Sequence, residues 1–250
     1  MTRSAVILAA GMGTRLQTEF PDMPKGFLRL GDSPIVEESV QLLVAAGIRD
    51  IVVVTGYQAA YYDELQQRHR GLMRTVHNPA FAESGSMYSL YCARDTVNGS
   101  FLLLESDLIY EPRALRTLLD APAADVILLS GPTDAGDEVF VSTRQGNLMT
   151  MSKDRVALTG EIAGELVGIS KISPELFDIM QRVAKKAFED SLNFEYETDC
   201  LVTAALEREI FCALVPDLVW SEIDDADHLR RARDLVYPEI HRRTVRDEQL

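Results

Sequence analysis

Residues 4–16, SAVILAAGMGTRL, decide the fold. Residues 4–9 form a continuous apolar run, the pattern of a strand buried on both faces in a parallel sheet. Gly11 and Gly13 follow it directly, with Arg15 two residues on. Glycines at this point serve either as an ordinary strand-ending turn or as a phosphate cradle, where backbone N–H groups approach an anion and an arginine adds charge. A dinucleotide-binding fingerprint needs a third small residue opening a helix and an acidic residue about 20 positions later. Leu16 stands at that third position, and the loop QTEFPDMPKG follows it. The GKS or GKT of a P-loop is missing as well, so both of those nucleotide-binding classes are disfavoured.

Outward from this loop the chain alternates strand and helix patterns. Residues 34–46, PIVEESVQLLVAA, carry Ile35, Val36, Val40, Leu43 and Val44 at helical spacing, with Pro34 suited to the first helical position and Gly47 to the C-cap. Strands are predicted at 50–56, 74–78, 100–107 and 125–130, and helices at 58–69, 86–95 and 112–120. That rhythm implies an α/β fold with a mostly parallel, Rossmann-like sheet flanked by helices. Residues 138–170 then read as strands with turn signals at Gln145-Gly146-Asn147 and Thr159-Gly160, a small β-rich lid. Helices at 173–188 and 198–208, two more strands and a closing helix at 225–236 complete a single domain. Its nucleotide-binding half is expected over about 1–130, its acceptor-binding and lid half over about 131–236, and a charged tail over 237–250.

The 250 residues are 46% hydrophobic, enough for a full core, and carry a net charge of −14. Such a balance disfavours a nucleic-acid surface, which needs a basic face. No run approaches the roughly 18 apolar residues of a spanning helix, so no membrane partner is expected. The N-terminal stretch lacks the pattern of a secretory signal. Cys92, Cys200 and Cys212 are odd in number and lack CxxC spacing, which points to reduced core residues and a cytoplasmic location. There is no Gly-x-Ser-x-Gly elbow and no HExxH, and the four histidines are scattered, so hydrolase and zinc chemistry have no anchor.

LAAGMGTRL (8–16) followed by MPKGFLRLGDSPIVEESV (23–40) resembles the signature of sugar-nucleotide and phosphocholine nucleotidyltransferases. The resemblance runs across the whole chain and implies a GT-A-like nucleotidyltransferase fold. It implies that Leu8, Ala9, Ala10, Gly11, Gly13 and Thr14 hold the nucleotide and that Arg15 and Lys25 carry the charge used in transfer. Nucleotidyl transfer to an anionic acceptor brings two negative partners together, so a divalent cation, Mg2+, is expected. Asp107 ends the strand SFLLLESD, where ligands of open α/β sheets bind. In the resembled family this aspartate binds the metal, and the resemblance points to Asp224 as the second ligand with Glu222 beside it. Strand alternation puts Glu222 and Asp224 on one face, and Asp225 is read as the cap of the last helix.

Within that family, NPAFAESGSMYSLYCA, ESDLIY and WSEIDD look like the compact phosphocholine and 2-aminoethylphosphonate cytidylyltransferases. Ser84, Ser86 and Ser89 match that subgroup's nucleotide-binding serines, while its asparagine before the serine pair is replaced around Gly85. The resemblance brings CTP as the nucleotide. Lys153 is a candidate for the acceptor's phosphonate, against the reading of a plain hairpin lysine. A cationic acceptor head needs carboxylates or aromatic faces, and Tyr196, Glu197, Asp199, Trp220 and Glu222 supply them. Acids outnumber rings in that set, which favours a primary amine, 2-aminoethylphosphonate, over phosphocholine. The EYETD segment also reads as a solvated helix start. A sugar-1-phosphate nucleotidyltransferase and a non-catalytic nucleotide-binding domain are the competing functions, and an exposed apolar helix face would support a homodimer.

Overall fold

The computed structural model describes residues 2–247; for Arg246 and Asp247 this covers the backbone course only, and the last three residues of the expected tail lie outside the described residues. Strand β1 (Ser4–Ala9) pairs in parallel with β2 (Asp50–Thr55) and β4 (Phe101–Glu105), and β2 pairs in parallel with β3 (Met73–His77). Because side chains alternate along a strand, Ala5, Ile7 and Ala9 face α1 (Ile35–Ala45) and α2 (Ala59–Arg68). Val6 and Leu8 face the opposite layer, where α3 (Ser86–Cys92) packs. Every one of those strand residues is 7% exposed or less, so β1 is the spine of two cores at once. Helix α1 begins at Ile35 with Pro34 as its N-cap, one residue later than the sequence reading placed it.

The second half departs from a parallel sheet. Strand β5 (Leu108–Tyr110) leaves the main sheet, α4 (Arg113–Asp120) follows, and β6 (Val126–Ser130) re-enters it. The hairpin β7 (Phe140–Arg144) and β8 (Asn147–Ser152), in the stretch read as a β-rich lid, forms the far edge of the same nine-stranded sheet. The twelve-residue β9 (Glu161–Ile172) then inserts antiparallel between β4 and β6 while its first residues pair with β7. Gly168, at φ +77°, sits at the register shift opposite Ile127–Leu129 and lets β9 serve both partners. Helix α5 (Pro174–Ala187) starts from Ser173, whose hydroxyl accepts the Leu176 N–H. Strand β10 (Phe211–Val215) lies parallel to β6, giving the order β3-β2-β1-β4-β9-β6-β10-β8-β7. The sheet is therefore parallel in its first half and mixed in its second.

Two other elements differ from the sequence pattern. The expected helix at 198–208 is a wide π-helical turn, Tyr196–Leu201, running into the three-residue α6 (Val202–Ala204). The closing helix is longer than expected. It runs as α7 (Ala226–Arg231), a π segment Ala232–Val236 and α8 (Tyr237–Asp247), so the described part of the charged tail is helix. Apolar docking explains the extension: Ile240 is buried, and the Tyr237 hydroxyl donates to Glu38 at 2.8 Å. Among the described residues no helix is long and apolar enough to cross a membrane.

Candidate active site

The carboxyl ends of β1 and β4 open onto one cleft, lined on the loop side by Gly11, Gly13, Arg15 and Lys25. Gly13 has φ +59°, and a Cβ there would stand 2.8 Å from the Lys25 Cγ, so only glycine lets the lysine chain cross the loop. Gly11 has open space around it and accounts for no close contact within the protein. The loop is anchored by Leu16, which is 4% exposed in a small cluster with Leu28, Ile223 and Leu229. Lys25 begins a single 3-10 turn after Pro24, and at the next residue a Cβ on Gly26 would meet the Tyr62 hydroxyl at 2.8 Å. Backbone position is thereby fixed while the lysine side chain lies along the cleft.

Opposite the loop stand the acids. The strand pair β5 and β11 (Trp220–Glu222) is antiparallel, with Glu222 across from Leu108, and the Ile223 N–H donates to the Asp107 carbonyl at 3.1 Å. That ribbon carries Asp224 to Asp107. The Lys25 Nζ donates to Asp107 Oδ2 at 3.0 Å and also to Asp224 Oδ1, while Arg15 reaches Asp224 Oδ2 at 3.0 Å. Burial alone would lower the Lys25 pKa, but the two carboxylates hold it above its ordinary value. Asp224 is withdrawn from water, which favours its neutral form, yet Lys25 and Arg15 hold its pKa below the ordinary range. Glu222 and Asp224 both line the cleft, and Asp225 accepts the N–H groups of Asp227 and His228 as the cap of α7.

Glu105, Asp107 and Glu222 form a carboxyl cluster whose nearest oxygens lie within 4.8 Å of one another. Loss of solvent, then the charges of Asp107, Asp224 and Glu197, push the Glu222 pKa up to about 9. Glu105 is raised well above its ordinary value by the same two causes, desolvation first and Glu197 next. Asp107 Oδ1 is buried with no hydrogen-bond partner. Carboxyls this close repel one another unless they are protonated or compensated by positive charge. Sequence reasoning passed over Glu105, although a glutamate ending the apolar strand FLLLE was a legible signal. The folded state holds the Glu222 proton between its ordinary 4.5 and about 9, where the unfolded chain has released it. Stability of the metal-free protein is therefore expected to fall as pH rises through that window. Glu222→Gln, neutral throughout, should flatten the decline in thermal melts run in EDTA. An unchanged slope would contradict the assignment.

The serine wall is built from α3 and the loop before it. Asn78, fully buried and not singled out by the sequence, donates through Nδ2 to the hydroxyls of Ser84 and Ser89, each at 3.0 Å. The Ser86 hydroxyl donates to the Glu195 carboxylate and accepts the Tyr196 N–H at 2.9 Å. All three serines line the cleft, and each hydroxyl is also engaged by the protein's own hydrogen bonds. Gly85 has a steric role: a Cβ there would stand 2.6 Å from the Phe194 carbonyl oxygen.

A second pocket opens off the cleft and shares Glu105, Glu197 and Glu222 with it. Its further wall carries Asp137, Glu138 and Glu165, with Trp220 along one side. Desolvation pushes the Glu197 pKa up to about 7. Lys153, on the exposed loop after β8, reaches the cleft rim. Four expected site residues fall elsewhere. Tyr196 is 1% exposed beneath the cleft and donates its hydroxyl to Glu197 at 2.9 Å, so it props that acid. Asp199 turns back to accept the Glu195 N–H at 2.9 Å, stabilising the wide turn. Ala9 faces the α1–α2 core by strand alternation, and Thr14 is exposed on the loop away from the cleft lining.

A glycine loop after the first strand, with paired cations and clustered carboxyls at the sheet's carboxyl edge, defines a fold of the α/β nucleotidyltransferase class. The chain belongs to the family of the MobA-like NTP transferase domain, whose model matches residues 5–239. It is 30% identical over 107 residues to the choline-phosphate cytidylyltransferase of Streptococcus pneumoniae, a match covering 43% of this chain and 46% of that one. It is also 30% identical over 167 residues to the 2-aminoethylphosphonate cytidylyltransferase of Lancefieldella rimae, covering 63% and 65%. The matched segment thus spans less than two thirds of either relative. The inositol-1-phosphate CTP transferase from T. maritima shares the fold at a TM-score of 0.79, with 20% identity over 96% of this chain and 95% of that one.

Proposed function

We propose that this chain is a Mg2+-dependent cytidylyltransferase that moves CMP from CTP onto a small phosphonate or phosphoester acceptor. The favoured acceptor is 2-aminoethylphosphonate, with phosphocholine second. The observation that carries the reading is the junction of two unlike pockets. One is edged by Arg15 and Lys25, the other is walled by Asp137, Glu138 and Glu165 with Trp220 alongside, and Glu105, Glu197 and Glu222 stand where they meet. An acceptor oxygen attacks the α-phosphorus, the bond to the β-phosphate breaks, and pyrophosphate leaves. That oxygen is already ionised on a phosphonate, so positioning and charge neutralisation suffice without a general base. Arg15 and Lys25 offer the triphosphate its charge, and Gly11 and Gly13 let it approach the backbone. The orphaned Asp107 oxygen, in a carboxyl cluster with Glu105 and Glu222, suits a hard cation with oxygen ligands. Asp107 and Asp224 would hold Mg2+ with Glu222 beside them, and the bound ion would neutralise phosphate charge. Three free cysteines accord with a cytoplasmic setting.

In the acidic pocket an ammonium head pairs with Glu197 while Lys153 meets the phosphonate at the rim. The deciding experiment is a competition between 2-aminoethylphosphonate, phosphocholine and a sugar 1-phosphate at equal concentration with CTP and Mg2+. The amine should win. Glu197→Gln should cut kcat/KM for the amine by roughly 10–100-fold, the loss of one charged hydrogen bond. Asp199→Asn should keep wild-type selectivity, because Asp199 faces its own backbone. Preference for phosphocholine or the sugar phosphate, or wild-type selectivity in Glu197→Gln, would overturn the acceptor. Absence of pyrophosphate release with any acceptor would overturn the transferase itself.

A further inference from the structure

The two aspartates assigned to the metal are already engaged. Lys25 Nζ holds Asp107 Oδ2 at 3.0 Å and also binds Asp224 Oδ1, and Arg15 holds Asp224 Oδ2 at 3.0 Å. Three of the four carboxylate oxygens are therefore taken by the two cations that the proposed reaction needs on the triphosphate. The fourth, Asp107 Oδ1, is buried and unpartnered. A divalent cation bound by these carboxylates would lie within a few ångströms of the Lys25 ammonium, where like charges repel strongly at low effective dielectric. The ammonium and the metal are rival counter-ions for one pair of aspartates.

We propose that Lys25 is an internal counter-ion which the divalent metal displaces, so that metal entry frees the ammonium for the nucleotide. The inference rests on the metal reading given above and goes beyond it, because it makes loading of the two ligands interdependent through one side chain. The local structure suits a swing of the side chain alone. The backbone of Lys25 is held by its 3-10 turn, with Phe27 N–H to Pro24 O at 2.9 Å and Leu28 N–H to Lys25 O at 3.0 Å. The side chain is 18% exposed and runs over Gly13, where no Cβ stands in its way. In the metal-free protein the ammonium keeps Asp107 and Asp224 from facing each other uncompensated. Once the metal takes that role, the lysine is left without its partners and next to the phosphates. Linkage then requires that metal and nucleotide each raise the other's affinity by the same factor.

The test is calorimetric titration of Mn2+, used for its readily measured binding, into wild-type, Lys25→Met and Asp107→Asn proteins without nucleotide. Lys25→Met should bind Mn2+ at least about tenfold more tightly than wild type, the order expected on removing a unit charge beside the ion. A non-hydrolysable CTP analogue should bind the wild type more tightly with Mn2+ present, and that coupling should shrink in Lys25→Met. Equal or weaker Mn2+ binding by Lys25→Met, with binding lost in Asp107→Asn, would overturn the exchange and leave the metal site standing. No Mn2+ binding by wild type or Lys25→Met would overturn both. Should Lys25→Met fail to fold, the wild type answers alone. Saturating Mn2+ should raise several-fold the rate at which an amine-directed reagent labels Lys25, read by peptide mass spectrometry, and an unchanged or lower rate would overturn the proposal.

Discussion

Asp107→Asn and Asp224→Asn are each expected to reduce turnover by at least about a hundredfold, the scale of losing a charged ligand in metal-assisted phosphoryl chemistry. The two side chains come from segments more than a hundred residues apart and meet across a single ammonium. Asparagine keeps the shape of each, so circular dichroism should report an unchanged fold. The two variants should still differ in one respect. Asp107 is paired through Oδ2 alone, whereas both Asp224 oxygens are held, one by Lys25 and one by Arg15. Asp224→Asn therefore loosens Arg15 as well and should raise the KM for CTP more than Asp107→Asn does. Steady-state rates across a Mg2+ titration check both statements. Near-wild-type turnover in either variant, with unchanged Mg2+ dependence, would remove that residue from the metal site.

Lys25→Ala is expected to lower kcat by roughly 100–1,000-fold, the range seen when one preorganised donor to developing charge is lost. KM for CTP should change far less. The reason is the geometry of the resting site, where the ammonium is held by two carboxylates and contributes most once it faces the phosphates. Arg15 is 58% exposed at the cleft edge; on the proposed function it would meet the triphosphate earlier, so Arg15→Ala should damage both kcat and KM. A pure KM effect in Lys25→Ala would make the lysine a ground-state binder.

The glycine loop, the strand–helix rhythm and the Asp225 cap were legible in the sequence because each depends on local rules. A glycine answers a positive φ, an apolar run answers burial on both faces, and a cap answers free N–H groups at a helix start. Lys25, Asp107 and Asp224 were legible through the motifs that carry the family resemblance. The antiparallel insertion of β9 was not, since periodicity gives a strand its faces and says nothing about its neighbours or direction. Glu105 shows the boundary between the two kinds of information. Its type and place at the end of β4 were visible, but its partners Glu197 and Glu222 arrive from the wide turn after Glu195 and from β11, respectively.

The same limit decided Tyr196, Glu197 and Asp199. Composition put three acids and a tyrosine within NFEYETDC, enough to mark a polar segment near a cationic ligand. Which of them faces the pocket depends on the wide turn, which sends Glu197 into the cleft, Tyr196 beneath it and Asp199 back to the Glu195 N–H. Sequence alone therefore marked the class of fold and the loop and several of the acids that line the cleft. The tertiary structure alone decided the β5–β11 register that joins Asp107 to Asp224, and the pairing of both with Lys25. Spacing along a chain fixes dihedral and burial demands over a few residues, whereas register between distant strands is set by the packing of the whole core.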